Sequence, residues 1–195
     1  MNLSKSSSGH YFYSKGEGNP LLLLHGFPDC AENYQHQIEF FSSHGYQVIA
    51  PYLPGYHPED KELDTYQSLR IAEEIVEFIK SVKDKKISLF GHDWGASIAY
   101  GIAGLEPDLV NKLITVSVPH GLSVGASFLS DGDQQRKSWY MFFFQLPIAD
   151  LAVANSDFNF IERLWMDWSP NCQIMSLMQK KQLLFFHKKT YFLKL

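Results

Sequence analysis

Cysteine is scarce in this 195-residue chain: Cys30 and Cys172 occur without a CxxC spacing. That excludes a disulfide framework and a thiolate metal site, and it predicts two reduced thiols in a cytoplasmic protein. Long hydrophobic runs are also missing, the longest being Leu21–Leu24 and Met141–Phe144, so no membrane span is expected. The first eighteen residues are Ser-rich and polar with no apolar h-region, which predicts no signal peptide. Neither sign of charge dominates, with 17 Lys+Arg against 21 Asp+Glu and a formal charge of -4, so there is no electrostatic case for binding nucleic acid or an anionic membrane. The eight histidines lack H-x-x-x-H spacing with an acidic partner, and Gly16-Glu17-Gly18 does not continue as a phosphate-binding fingerprint. No metal and no cofactor are expected, and a small-molecule ligand is the partner class left.

Apolar and aromatic material is plentiful. The chain is 45% hydrophobic and 15% aromatic, with 15 Phe and 10 Tyr, which is enough for one folded domain with a core and rules out disorder as the main state. Residues 10–13 (HYFY) read as a strand, and the turn chemistry of Lys15–Asn19 predicts a hairpin from it. Leu21–Leu24 lacks alternation, as expected of a strand buried on both faces, and it stops at His25-Gly26-Phe27-Pro28-Asp29. Further strands are read at Tyr46–Ala50, Ile87–Phe90 and Leu113–Val118. Between them lie a helix capped by Asp64 or Thr65, with Leu69, Ala72, Ile75, Val76, Ile79 and Val82 as its apolar face, and an Ala/Ile helix at Ala96–Leu105. Strands alternating with helices predict an α/β fold with a mostly parallel sheet. From about residue 120 the pattern becomes helical and aromatic, so a boundary is placed there, giving residues 1–120 and 121–195 as the two parts.

In a parallel sheet, ligands bind beyond the carboxyl ends of the strands. Gly91-His92-Asp93-Trp94-Gly95 joins a strand directly to a helix and has the form small-x-nucleophile-x-small, which thrusts its central side chain out at the helix N-terminus. A carboxylate there is kept anionic by the helix dipole and suits attack on an sp3 carbon, although an Asp that merely caps the helix has the same signature. Gly26 lets backbone approach a ligand, so N–H groups of its loop can join that of Trp94 in an anion hole. His25 in the same loop is either a ligand contact or a histidine hydrogen-bonded inside the core.

The segments LLLLHGFPD, PYLPGY and SLFGHDWGA together resemble the α/β-hydrolase fold, and within it the epoxide hydrolase and haloalkane dehalogenase branch, over about residues 10–170. The resemblance implies helices on both faces of the sheet, followed by the start of a helical cap. It implies Asp93 as nucleophile, backbone N–H groups of Phe27 and Trp94 as the oxyanion hole, and His25 and Trp139 as substrate-binding residues. Residues 138–147 (SWYMFFFQLP) are similar to the first cap helix of epoxide hydrolases, which makes Tyr140 the acid that protonates the epoxide oxygen. The implied function is opening of a small apolar epoxide through an alkyl-enzyme ester. A haloalkane dehalogenase and a non-catalytic remnant are the alternatives.

Gly121-Leu122-Ser123-Val124-Gly125 also fits a serine elbow, but no clear helix start follows it, so Ser123 is expected to be a decoy. The family's water-activating His and its acid come from loops after later strands, and neither His120 nor His187 lies in a segment that resembles the catalytic His loop. Residues 180–195 carry five lysines and no acid and depart from the family pattern. The expectation is a fold whose C-terminal strands are absent and whose hydrolytic half is impaired.

Overall fold

The computed structural model describes residues 2–60, 62–155 and 159–169. Two compact units divide the chain, residues 1–126 and 127–195. Cys172, His187 and the basic segment 180–195 lie outside the described residues.

The first unit is built on a six-stranded sheet. Its strands are β1 (Leu3–Lys5), β2 (Tyr11–Lys15), β3 (Asn19–Leu24), β4 (Tyr46–Pro51), β5 (Ile87–His92) and β6 (Val110–Val116), in the spatial order β1-β2-β4-β3-β5-β6. Strands β4, β3, β5 and β6 run parallel, while β1 and β2 add two antiparallel pairings at one side. The α/β class and the mostly parallel sheet are therefore as the sequence predicts. Leu21–Leu24 are all buried, with β4 on one edge and β5 on the other. Burial of each Leu side chain contributes about 1.5–3 kcal/mol.

The hairpin expected after Tyr13 does not form. Strand β2 pairs with β4 instead (Tyr13 opposite Ala50), because both edges of β3 are taken by its parallel partners. The strand that does make a hairpin with β2 is β1, in the polar N-terminal stretch where the sequence shows no strand signal.

Helices α1 (Gln35–Ser42), α2 (Ser68–Val82) and α3 (Trp94–Leu105) cover the sheet. Helix α2 begins later than expected: Gln67 is its N-cap, without a side-chain cap hydrogen bond, so neither Asp64 nor Thr65 caps it. Its buried stripe is Ile71, Ala72, Ile75, Val76, Phe78 and Ile79, and Leu69 is exposed. Leu69 falls on the solvent side because the helix turns Ile71, Ile75 and Phe78, related by three and four residues, toward the interior.

Helix α4 (Gly121–Ser130) starts within the Gly121–Gly125 motif and runs across the division between the units. This corrects the expectation that no helix begins there. The Ser123 N–H donates to the His120 carbonyl at 2.8 Å, so Ser123 belongs to a helical turn and not to the apex of a strand-to-helix bend.

The second unit contains α5 (Gly132–Lys137), α6 (Trp139–Phe143), α7 (Ala149–Ala154) and α8 (Asn159–Trp168). Its interior is aromatic, with Phe143 stacked on Phe160 at 5.3 Å and Phe144, Ala149, Val153, Ile161 and Leu164 buried. Asp131 caps α5, its carboxylate accepting from the N–H groups of Asp133 and Gln134. No helix among the described residues is long and apolar enough to cross a membrane.

Candidate active site

Leu24 at the end of β3 is paired with Gly91 near the end of β5, so the loops that follow these strands emerge side by side. The loop after β5 is a single residue. Asp93 stands between β5 and α3 with φ 54° and ψ -119°, a conformation that costs a non-glycine residue about 1–3 kcal/mol. Backbone hydrogen bonds hold it there: its N–H donates to Val116 at 3.1 Å, and its carbonyl accepts from Ala96 at 2.9 Å.

The glycines around Asp93 follow from this bend. A Cβ at Gly95 would lie 2.1 Å from the Leu24 carbonyl oxygen, and one at Gly91 would lie 2.3 Å from the Gly95 carbonyl oxygen. Both contacts are with backbone, so neither can be relieved by a side-chain rotation. Across the crevice, a Cβ at Gly26 would fall 2.3 Å from Asp93 Oδ1. The chain at Gly26 lies directly against the carboxylate.

That proximity delivers a donor. The Phe27 N–H donates to Asp93 Oδ1 at 2.7 Å, and the Trp94 N–H also hydrogen-bonds the carboxylate. Burial pushes the Asp93 carboxyl above the ordinary value, while these two N–H groups and His92 hold it down. The result is a carboxylate stripped of much of its water and held by fixed backbone donors.

His25 is buried with both ring nitrogens engaged. Nδ1 lies 3.1 Å from the Gly26 carbonyl, and Nε2 accepts from the Leu53 N–H at 3.1 Å, which makes Nδ1 the protonated nitrogen. Burial lowers its pKa to about 4, so the ring is neutral. Its edge packs on Tyr56 at 4.6 Å. In this state His25 ties the loop after β3 to the loop after β4.

Asp29 and His92 have no expected role in the sequence. His92 Nδ1 lies 3.6 Å from Asp29 Oδ2, and the Asp29 carboxylate pushes the imidazole up from its usual value. Both residues lie inside the quoted motifs HGFPD and GHDWG, so the signal was present; only their pairing across the crevice needed a structure.

Of the expected site residues, Asp93, Phe27, Trp94 and His25 converge in the first unit. Tyr140 and Trp139 belong to the second. There the Tyr140 ring lies 4.9 Å from Trp168 and 5.9 Å from Phe144, and Trp139 is 47% exposed, near Phe143 and Phe160. Among the described residues, no three His, Cys, Asp or Glu side chains converge to hold a metal ion.

A family model described as the alpha/beta hydrolase fold matches residues 19–158. The chain belongs to the α/β-hydrolase family. Among curated relatives, Epoxide hydrolase 4 of Homo sapiens is 34% identical over 164 residues, a match covering 82% of this chain and 45% of the human one. Epoxide hydrolase 2 of Caenorhabditis elegans is 30% identical over 152 residues, covering 76% and 42% of the two chains. This chain therefore spans a little under half the length of these two relatives. Among solved α/β hydrolases, the Bacillus megaterium epoxide hydrolase in complex with an inhibitor superposes with a TM-score of 0.83 at 26% identity, covering 96% of this chain and 67% of the other. These similarities support the epoxide hydrolase branch.

Proposed function

We propose that this α/β hydrolase opens small apolar epoxides by nucleophilic attack of Asp93. The observation that carries the reading is the single carboxylate at the strand-to-helix bend, with Oδ1 held by Phe27 and the backbone of Trp94 beside it. Attack on an epoxide carbon forms an alkyl ester at Asp93 and breaks the carbon–oxygen bond of the ring, whose electron pair stays on the leaving oxygen. That oxygen needs a proton, and the family resemblance assigns the donor to Tyr140. The Phe27 N–H that holds Oδ1 in the free protein would, with that of Trp94, meet the oxyanion when water attacks the ester carbonyl. The family resemblance also assigns Trp139 to the substrate, and an indole ring suits an apolar one.

No histidine of this sequence lies in a segment that resembles the family's catalytic His loop, so the ester is expected to outlive its formation. Incubation with an aryl epoxide followed by intact-mass measurement should show one added epoxide mass, which Asp93→Asn abolishes. Tyr140→Phe should slow adduct formation by about 10²-fold or more. Folded protein that gains no mass contradicts the reading. Many turnovers without an adduct would show that a base operates, leaving Asp93 in place but overturning the expectation of a long-lived ester.

A further inference from the structure

The hydrogen bond from Phe27 to Asp93 joins residues far apart in sequence, and the sheet ladder between β3 and β5 ends one pair earlier than the turn that needs it, at Leu24 and Gly91. Something beyond the ladder must hold residues 26–27 on the bend. On one side His25 does so, through the Leu53 N–H. On the other side stands Asp29. Its N–H closes the turn onto the Gly26 carbonyl at 3.0 Å, Asn33 Nδ2 donates to its Oδ1, and its Oδ2 faces His92 Nδ1 at 3.6 Å. His92 is the residue immediately before Asp93.

We propose that Asp29 and His92 form an ionic clamp that locks the Gly26–Phe27 turn onto the bend and keeps the Phe27 N–H on Asp93 Oδ1. Its catalytic consequence rests on Asp93 being the nucleophile; the clamp itself does not. The two side chains are 14% and 38% exposed, so the pair is only partly screened by water, unlike an ion pair on the open surface. Asp29 is fixed by its own backbone turn and by Asn33, so little side-chain freedom is lost in forming the pair. The charges acting on His92 are Asp29 from the turn and Asp93 from the bend, with His25 close enough to be influenced by it. When His92 is protonated its charge also favours the Asp93 anion, which burial disfavours. His92 is thus a positioning residue: it acts on the reaction through Phe27 and through the field at Asp93.

The test is nuclear magnetic resonance of the full chain, following the Phe27 amide and the His92 ring against pH. In the unsubstituted protein the Phe27 amide should lie at low field and should move with two transitions, one from Asp93 and one coincident with the His92 ring. Asp29→Asn should lower the His92 pKa and shift the Phe27 amide upfield, and it should slow alkylation by an aryl epoxide about tenfold or more, as for a reacting group displaced by a fraction of an ångström. His92→Gln, which keeps a neutral donor toward Asp29, should lose the second transition while retaining part of the low-field shift. A Phe27 amide blind to His92 titration in the unsubstituted protein overturns the clamp even if both variants fail to fold. Unchanged amide shift and alkylation in Asp29→Asn overturn it equally. If the amide responds as described but no epoxide adduct forms, the clamp stands and the nucleophile reading falls.

Discussion

Asp93 carries two stresses at once, a backbone conformation few residues adopt and a carboxylate held above its ordinary pKa by burial. An acid whose folded pKa is raised binds protons more readily when folded, so its contribution to stability is lost as pH rises from the unfolded value through the folded one. Asp93→Asn removes that penalty and keeps an oxygen for the Phe27 N–H. It should therefore raise the denaturant midpoint at pH 7 while abolishing adduct formation. His25 has the opposite sign: its folded pKa of about 4 lies below 6.5, so its contribution is complete above pH 6.5 and is lost as pH falls toward 4. The gap corresponds to roughly 3 kcal/mol. Unfolding titrations between pH 7 and 4 should show this loss, and His25→Gln should flatten it. At this scale the sequence was informative about chemistry and silent about state. Asp93 and Trp94 could be named from the form of GHDWG and Phe27 from the family resemblance, whereas the two hydrogen bonds that fix the His25 ring and the partner of His92 depend on loops brought together from β3, β4 and β5.

The bend between β5 and α3 works because the elements around it leave no room. A Cβ at Gly95 would meet the Leu24 carbonyl, which belongs to the central strand and cannot move without disturbing both of its neighbours. Gly95→Ala should cost about 1–3 kcal/mol, read as a lower thermal midpoint, and should slow alkylation by more than the stability loss explains. Strand positions were legible because Leu21–Leu24, Tyr46–Ala50 and Ile87–Phe90 are compact apolar runs ended by glycine or proline. Pairing was not. The supposed hairpin after Tyr13 gave way to β2 on β4, because local turn chemistry carries no information about which strands already occupy the edges of β3. The start of α2 is hidden for a related reason: Asp64 and Thr65 are good capping residues, but the helix begins at Ser68, where Ile71, Ile75 and Phe78 fall on its buried side.

Across the molecule, stability is unevenly distributed. Strand β3 is buried along Leu21–Leu24 and paired on both edges, whereas β6 pairs only with β5 among the described residues and exposes Leu113, Ile114 and Val116. Native-state hydrogen exchange should be slowest at Leu22–Leu24 and markedly faster in β6. The family and the mostly parallel α/β class were readable from sequence because they rest on motifs at strand ends and on the alternation of strands with helices. The division of the chain is less so, since α4 runs continuously through the region where the composition changes. The function proposed for the whole chain rests on one bond that it should be able to form. After exposure to an aryl epoxide, peptide mapping by tandem mass spectrometry should place a single ester on the Asp93 side chain, and Asp93→Asn should remain unmodified. An adduct at any other residue, or none on the folded protein, would contradict Asp93 as the nucleophile.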